Sequence, residues 1–287
     1  MKAIYKREVS SYFNSMIGWI FVAVLTVFIG IYFFAYNLFQ GYPYFSLSLG
    51  SSLFIFMVVV PILTMRSMAD ERHTKTDQLL LTAPVSVTAV VLGKYFAMLT
   101  VFAVPVAIAC LCPLIIAANG TGQLASDYAS ILAFFLLGAA LIAVGVFLSS
   151  LTDNQGLAAG LGIAVILLNY YSVSLSEYVS STPVGALAAL LVLILAVGAV
   201  VRYLTRNSNL AYGVCLVLLA AVAALYFVDS TAFEGLLPTV MSALSLFERF
   251  YTFVNGVFDL TAVFYYLTVA ALFLFLSVQS LEKRRYN

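Results

Sequence analysis

The sequence contains little charge. Only 9% of its 287 residues are Asp, Glu, Lys or Arg, whereas 64% are hydrophobic. A soluble domain carries roughly a quarter charged residues, so this chain has too few to cover a surface that faces water. Most of its surface is therefore expected to face membrane lipid. With a net charge of +1, the chain lacks the excess of basic residues that is typical of nucleic-acid-binding proteins. No nucleic-acid partner is therefore expected.

Residues that carry enzyme chemistry are also scarce. The chain has one histidine, and its three cysteines (Cys110, Cys112 and Cys215) lie in apolar runs, where cysteine serves as a small packing residue. HExxH and Cys-x-x-Cys patterns are missing, and the one Gly-Lys pair, Gly93-Lys94, is not followed by the Ser or Thr of a phosphate-binding P-loop. We therefore expect no catalytic site, metal, disulfide or cofactor in this chain, and no ATP hydrolysis by it.

Long apolar runs dominate what remains. A helix needs about 20 apolar residues to cross a bilayer, and eight runs approach that length: 16–39, 49–65, 95–117, 128–151, 157–175, 184–201, 210–228 and 260–280. Membrane-spanning strands would alternate between apolar and polar residues, and the run from Leu187 to Leu195 does not. The sequence thus predicts an all-α, polytopic transmembrane helical bundle that forms a single domain over 1–287.

These predicted spans hold no Asp, Glu, Lys or Arg beyond residue 17. Ion-coupled transporters keep ionisable groups within the membrane, because the coupling ion needs a binding group there. If the protein transports a substrate, the energy is therefore expected to come from another source.

The positions of the basic residues predict the orientation of the chain. Cytoplasmic loops are enriched in Lys and Arg. With both termini in the cytoplasm and eight spans, the cytoplasmic segments hold twelve of the thirteen basic residues, and only Arg249 lies outside. A six-span arrangement that leaves 184–228 outside would move Arg202 and Arg206 to the outer side and weaken this bias. The sequence favours eight spans, with six as the alternative.

Two connections are long enough to contain structure of their own. The connection 66–94 is predicted to be cytoplasmic, and the connection 229–259 is predicted to be external. In the external one, apolar residues recur at helical spacing, which favours a re-entrant or interfacial amphipathic helix; these residues are Leu237, Val240, Met241, Leu244, Phe247 and Tyr251.

The connection 66–94 allows two interpretations. Ser67 and Asp70 form a capping-box pattern, which predicts that a short helix starts there, with a charged part at Asp70–Arg72 and a leucine cluster at Leu79–Leu81. Pro84 would end this helix, and Ser86 would cap the next one. The segment could be a solvated loop that only sets topology, or a rigid element that docks on a soluble partner.

Several motifs, taken together and in order, resemble the permease subunits of type-2 ABC exporters, in the branch that includes the gliding-motility permease subunit. They are Thr64-Met65-Arg66, Ala69-Asp70-Glu71-Arg72, Thr76-Asp77-Gln78-Leu79-Leu80-Leu81-Thr82-Ala83-Pro84-Val85 and Gly93-Lys94, with Lys6-Arg7-Glu8 at the start, Thr152-Asp153-Asn154-Gln155 in a short loop, and Asn255-Gly256 and Leu281-Glu282-Lys283 near the end. The resemblance covers about 4–175 and 247–285. The usual core of that family has six spans, so 184–228 would be an extra hairpin.

The resemblance implies a function for the chain. It would be the permease subunit of an ABC exporter in the bacterial cytoplasmic membrane, paired with a second permease subunit and with a separate ABC ATP-binding subunit that holds ATP and magnesium. The resemblance makes the connection 66–94 a coupling helix, whose ATPase-coupling residues would be Ala69, Asp70, Glu71, Arg72, Thr76, Leu79 and Leu80, with a further loop contact at Asp153, Asn154 and Gln155. Among these, Glu71 and Arg72 would make polar contacts with the ATPase, and the leucines would fill its groove.

Two other functions remain as alternatives. The chain could be a membrane anchor or scaffold that transports nothing and recruits a soluble partner through the same connection. An intramembrane enzyme is disfavoured, because the predicted spans contain no catalytic constellation.

Overall fold

The computed structural model describes residues 1–76, 85–120, 122–178 and 234–285, together with scattered positions between 185 and 222. Within these residues the structure is helical and contains no strand. The main helices are α1 (Lys2–Asn14), α2 (Met16–Tyr32), α3 (Phe45–Ser52), α4 (Phe56–His73), α5 (Val87–Ala109), α6 (Cys112–Asn119), α7 (Leu124–Leu151), α8 (Gln155–Tyr178), α9 (Leu236–Leu244), α10 (Glu248–Val254) and α11 (Leu260–Arg285). A π-helical segment, Phe33–Phe39, continues α2, and a 3-10 turn, Leu53–Ile55, joins α3 to α4.

Six stretches of these helices are long and apolar enough to cross a membrane. Each overlaps one of the eight predicted spans, which confirms a multi-pass helical membrane protein. The stretches are Met16–Phe39, Phe45–His73, Val87–Asn119, Leu124–Leu151, Gln155–Tyr178 and Leu260–Arg284. Most of them extend further than the sequence predicted, and the added turns contain charged residues.

The other two predicted spans, 184–201 and 210–228, lie mostly outside the described residues. The positions that are described within them are helical. Two of these positions show that the segments touch: the Cys215 thiol donates a 3.6 Å hydrogen bond to the Ile194 carbonyl, and a Cβ on Gly198 would overlap the Cys215 sulfur. The total number of spans stays a prediction.

Helix α7 is the centre of the larger of two compact units, which comprises residues 1–170 and 246–287. It packs against α3, α4, α5, α10 and α11, and its middle is rich in Gly and Ala. Small residues let helix backbones approach closely in a membrane. A Cβ on Gly138 would overlap the ring of Phe102, and a Cβ on Gly145 would overlap the Thr64 hydroxyl. These two glycines therefore set the spacing of α7 from α5 and α4.

The smaller unit, residues 171–245, is inserted between two neighbouring points of the larger one. The Leu246 amide donates a 3.0 Å hydrogen bond to the Asn169 side chain. Helix α8 begins, and α11 ends, at the same end of the bundle, because Arg284 lies 3.0 Å from Asp153 in the α7–α8 turn. The sequence left six and eight spans open for the chain as a whole, and both numbers stay predictions.

Thiol labelling would distinguish these two numbers. We expect a Ser208→Cys variant, in a background without the native cysteines, to resist a membrane-impermeant maleimide in intact cells, because eight spans place 202–209 in the cytoplasm. A Ser230→Cys variant is the matched control and should be labelled. Equal labelling of both would instead establish the six-span topology.

The segment predicted as one external amphipathic helix contains two short helices. Helices α9 and α10 are separated by Ser245, whose backbone is extended. None of the α9 residues is buried, whereas Phe250 and Phe253 of α10 are fully buried. The described part of this segment is therefore helical in two pieces rather than one. The placement of this segment relative to the membrane stays a prediction.

Candidate functional site

The charged segment after the second span is a continuation of that span. Helix α4 runs without interruption from Phe56 to His73, so the predicted helix start at Ser67 is wrong. Ser67 lies in the middle of the helix and is buried, where a capping side chain has no free amide to bind. Ala69 is fully buried as well. Its amide and that of Met68 donate hydrogen bonds of 3.1 Å to the Ser149 hydroxyl of α7.

Helix α4 ends in a Schellman turn. The Thr76 amide donates to the Glu71 carbonyl at 2.9 Å, and the Lys75 amide donates to the Arg72 carbonyl at 3.0 Å. Lys75 has a φ of 57°, the left-handed conformation that this turn requires at that position. Thr76, which follows this turn, is exposed. Leu79 and Leu80, together with Pro84, lie outside the described residues. The predicted cap is present, since Ser86 accepts a hydrogen bond from the Ala89 amide at 3.3 Å.

Glu71 points into the bundle and pairs with two cations. Its carboxylate lies 2.9 Å from the Lys94 ammonium and 3.0 Å from the Arg7 guanidinium. Lys94 also lies 3.3 Å from Glu8 of α1, and its side chain is only 2% exposed. The buried Lys94 thus joins α1, α4 and its own helix α5.

Sequence reasoning missed this role of Lys94 because it placed the residue in a loop. The Gly93-Lys94 pair could have indicated it. A Cβ on Gly93 would lie 3.1 Å from the Ile4 side chain of α1, so the glycine allows α1 to come close, and the lysine that follows reaches the α1 carboxylate.

A second set of contacts connects the end of α4 to the α7–α8 turn. Arg72 donates a 3.4 Å hydrogen bond to the Thr152 carbonyl, and it lies 3.7 Å from the Asp153 carboxylate. Gln155 donates a hydrogen bond to Asp70, which also lies 3.6 Å from Arg66. Both predicted groups of coupling residues are therefore in contact.

Asn154 has a local role in the same turn. Its side-chain oxygen accepts hydrogen bonds from the Gly156 amide at 2.8 Å and the Leu157 amide at 3.3 Å. These are amides that the first turn of α8 cannot bond internally. Asn154 therefore fixes the start of α8, next to the residues that contact α4.

All seven ion pairs found among the described residues lie at this end of the bundle. We call their members the charged network: Arg7, Glu8, Arg66, Asp70, Glu71, Arg72, Lys94, Asp153 and Arg284. The network connects α1, α4, α5, the α7–α8 turn and the end of α11. Its members differ in burial, because the Lys94 side chain is enclosed whereas that of Asp153 is 68% exposed. We therefore expect the Lys94 pairs to matter most, since exposed pairs contribute little to stability.

The surroundings of α1 change the proton affinities of two of its side chains. The hydrogen bond that Arg7 donates to Glu8 raises the pKa of its guanidinium, and the charges of Glu8 and Glu71 act in the same direction, although partial burial opposes them. Burial raises the pKa of the Tyr12 hydroxyl, and Glu8 adds to this effect. The Tyr12 hydroxyl donates a 3.3 Å hydrogen bond to the Leu63 carbonyl. Both groups keep their protons at neutral pH.

A cavity of about 640 Å³ opens between α1, the end of α4 and the start of α5. Charges of both signs line it, including the partly exposed Arg66 and Asp70. Thr76 also lines it, so the cavity adjoins the point where the chain leaves α4.

The sequence predicted that Glu71 and Arg72 face a partner. In the structure, both side chains are engaged within the chain, and the side chains exposed at the end of α4 are those of His73, Thr74, Lys75 and Thr76. The contribution of Leu79 and Leu80 to partner binding stays a prediction.

A comparison with known protein families agrees with this structure, a bundle of apolar helices that carries charged residues at one end. The ABC-2 family transporter proteins match residues 36–228, which is more than half of the chain and includes 184–228. The chain belongs to this family of membrane transporter proteins. Neither a curated protein nor a solved structure matches it. The narrower resemblance to the gliding-motility branch stays a prediction.

Proposed function

We propose that the chain is the permease subunit of an ABC exporter in the bacterial cytoplasmic membrane. Two permease subunits, identical or related, form the translocation path. Each one docks a separate ABC subunit that binds and hydrolyses ATP with magnesium. This chain itself is not an enzyme. It contributes the translocation path and the connection 66–94, which responds to ATP bound by the partner subunit. Its family membership supports the general role of a permease that works with an ATP-binding subunit.

The observation that carries the coupling role is the pairing of Lys94 with Glu8 and Glu71. The connection 74–86 leaves the bundle from α4 and returns to it at α5. Because Lys94 ties these two helices together and to α1, a force on the connection moves all three helices together. The contacts of Arg72 and Asp70 with the α7–α8 turn extend this group to the start of α8.

Residues around the connection then have different tasks. Leu79 and Leu80 bind in a groove of the ATPase, and Thr76 lies at the edge of that contact. Glu71 and Arg72, which the sequence assigned to direct polar contact, transmit movement through their partners inside the chain. The cavity beside Thr76 adds a polar surface for the same partner. ATP-driven closure of the ATPase pair shifts α4 and α5, and alternative packings of the bundle open or close the path.

The experiment that tests this function uses the chain alone and in complex. We expect the purified chain to hydrolyse no ATP, and we expect it to form a stable complex with its ATP-binding subunit in lipid nanodiscs. Replacing both Leu79 and Leu80 by alanine should weaken this complex more than tenfold, since each interface anchor can contribute about 2 kcal/mol or more. Leu157→Ala is the matched control, because Leu157 is an exposed leucine at the start of α8.

The possible outcomes separate the alternatives. A scaffold would lose binding in the same way, but ATP would cause no conformational change in the wild-type complex. Gradient-driven transport by the chain alone would contradict the proposed energy source. If the leucine variant binds the ATPase as tightly as Leu157→Ala does, the connection 66–94 serves only to set topology.

A further inference from the structure

The end of the bundle opposite the charged network contains a buried carboxylate. Asp127 lies in the first turn of α7, immediately before the predicted fourth span, and it is the one fully buried Asp or Glu among the described residues. Its Oδ1 atom accepts hydrogen bonds from the Phe45 amide at 2.8 Å and the Ser46 amide at 3.3 Å. Its Oδ2 atom has no hydrogen-bond partner in the described part of the chain. A buried ionisable residue in a spanning helix indicates a functional role.

Asp127 caps a helix that has no cap of its own. Helix α3 starts at Phe45, and the preceding residue, Tyr44, makes no capping hydrogen bond through its side chain. The free amides at a helix start need an acceptor, and a negative charge there interacts favourably with the helix dipole. Asp127 supplies both from another span. The cap therefore depends on the position of α3 relative to α7.

Two serines extend this contact to α10. The Ser46 hydroxyl donates to the Val254 carbonyl at 3.2 Å, and the Ser130 hydroxyl donates to the Phe253 carbonyl at 3.1 Å. Both serines are buried, and both carbonyls lie at the C-terminal end of α10. We call Asp127, Ser46 and Ser130 the Asp127 cluster. It joins α3, α7 and α10 pairwise.

The Asp127 cluster and the charged network lie at opposite ends of the same helices. The span Phe45–His73 is capped by Asp127 at its first residue and carries Asp70, Glu71 and Arg72 in its last turn. Helix α7 holds Asp127 near its start, and near its end Ser149 binds the amides of α4. A shift of α3 and α4 along α7 therefore separates Asp127 from the amides that it caps.

We propose that Asp127 is a positioning residue that holds α3 and α10 against α7, so that this end of the bundle stays closed until movement of α4 breaks the cap. This inference rests on the proposed function, because the movement of α4 is the one that the ATPase drives. Ala133, which lies six residues further along α7 and is fully buried, becomes accessible when the cluster opens.

The rate of thiol labelling at Ala133 tests this inference. An Ala133→Cys variant, with the three native cysteines replaced by alanine, is studied as the full complex with its ATPase in lipid nanodiscs. We expect slow labelling by a charged maleimide without nucleotide, and faster labelling during ATP turnover. Adding Asp127→Ala should raise the rate without nucleotide at least tenfold. Adding Asp127→Asn should raise it less than threefold, because the amide oxygen can still cap α3.

Asp259→Ala is the matched control for the loss of a capping carboxylate. Asp259 accepts a 2.8 Å hydrogen bond from the Thr261 amide and so caps only its own helix, α11. It should leave the labelling rate at Ala133 unchanged. An equal increase in the Asp259 and Asp127 variants would overturn the proposal, and so would wild-type labelling in Asp127→Ala.

Two further variants keep the test valid if Asp127→Ala does not assemble. Ser46→Ala and Ser130→Ala each remove one hydrogen bond to α10 and leave the cap in place. We expect each to speed labelling severalfold, and wild-type rates in both would contradict the proposal. Failure of the proposed function would give a different result. In that case ATP would not change the labelling rate of Ala133→Cys in the complex whose Asp127 cluster is intact.

Discussion

Replacing Glu8 and Glu71 together by glutamine is expected to lower the free energy of unfolding by about 3–5 kcal/mol, the usual cost of leaving a buried charge without its partner. Lys94 would then lack both carboxylates that it contacts, at 2.9 and 3.3 Å, while its side chain is only 2% exposed. Either single substitution leaves one carboxylate and should cost roughly 1.5 kcal/mol. The double substitution should therefore cost at least as much as the two single substitutions together. Unfolding of the purified chain by SDS titration in micelles measures these values.

Two controls define the origin of this effect. Adding Lys94→Met to the double variant should restore most of the stability, because an apolar residue can replace a buried ion pair at little cost. Arg284→Gln removes a cation of the exposed pair with Asp153 and should cost no more than about 1 kcal/mol. If the double glutamine variant is as stable as Arg284→Gln, the ion pairs of the buried Lys94 contribute nothing to the stability of the chain.

This result would also change how Glu71 variants are interpreted. The sequence suggested that residue 71 lies in water or at an interface, where a substitution alters stability by less than about 0.5 kcal/mol. In the structure the Glu71 side chain is only 19% exposed and contacts Lys94 and Arg7, so its substitution also removes contacts within the chain. A loss of transport in Glu71→Ala therefore needs a stability measurement beside it before it is attributed to coupling.

A Gly145→Val substitution is expected to destabilise the bundle by at least about 3 kcal/mol, at the upper end of the usual cost of overpacking. A Cβ at this position would overlap the Thr64 hydroxyl and lie 2.8 Å from the Thr64 Cβ atom. Thr64 is itself buried and donates a 3.0 Å hydrogen bond to the Val60 carbonyl, so it has little room to move. The helices α4 and α7 would have to separate. Fluorescence size-exclusion chromatography and SDS titration would measure the loss of folded protein.

Gly160→Val is the matched control, because a Cβ on Gly160 would meet no atom within 4 Å. The same change of residue in α8 should alter the stability of the chain in micelles by less than about 0.5 kcal/mol. An equal loss in both variants would mean that valine itself, and not the close contact of α4 with α7, causes the effect.

Much of the helical architecture could be predicted because hydropathy is a local property. A run such as 128–151 is apolar along most of its length and contains no charged residue. It must form a helix in lipid whatever its neighbours are, since its backbone groups need internal partners. The cap at Ser86 was predictable for the same reason, because a capping side chain acts on amides two or three residues away.

The ends of the spans could not be predicted in this way. Asp127 and Lys94 were placed just outside the membrane-spanning runs because a charge usually ends such a run. Both lie inside helices and are buried, since amides of α3 bind one oxygen of Asp127 and carboxylates of α1 and α4 pair with Lys94. The amides of Phe45 and Ser46 lie more than eighty residues from Asp127 in the sequence, and Glu8 lies more than eighty residues from Lys94. No local pattern reveals partners at such a distance.

The sequence by itself therefore determined the class of this protein, a helical membrane protein with charged residues next to its apolar runs. The reason is that the apolar runs and the placement of charge depend only on the order of residues along the chain. Only the tertiary structure decided which charges face inward. Glu71 lies only five residues before the exposed Thr76, yet it pairs with Lys94 inside the bundle. The physical reason is that burial of a charge depends on partners that other helices bring to it.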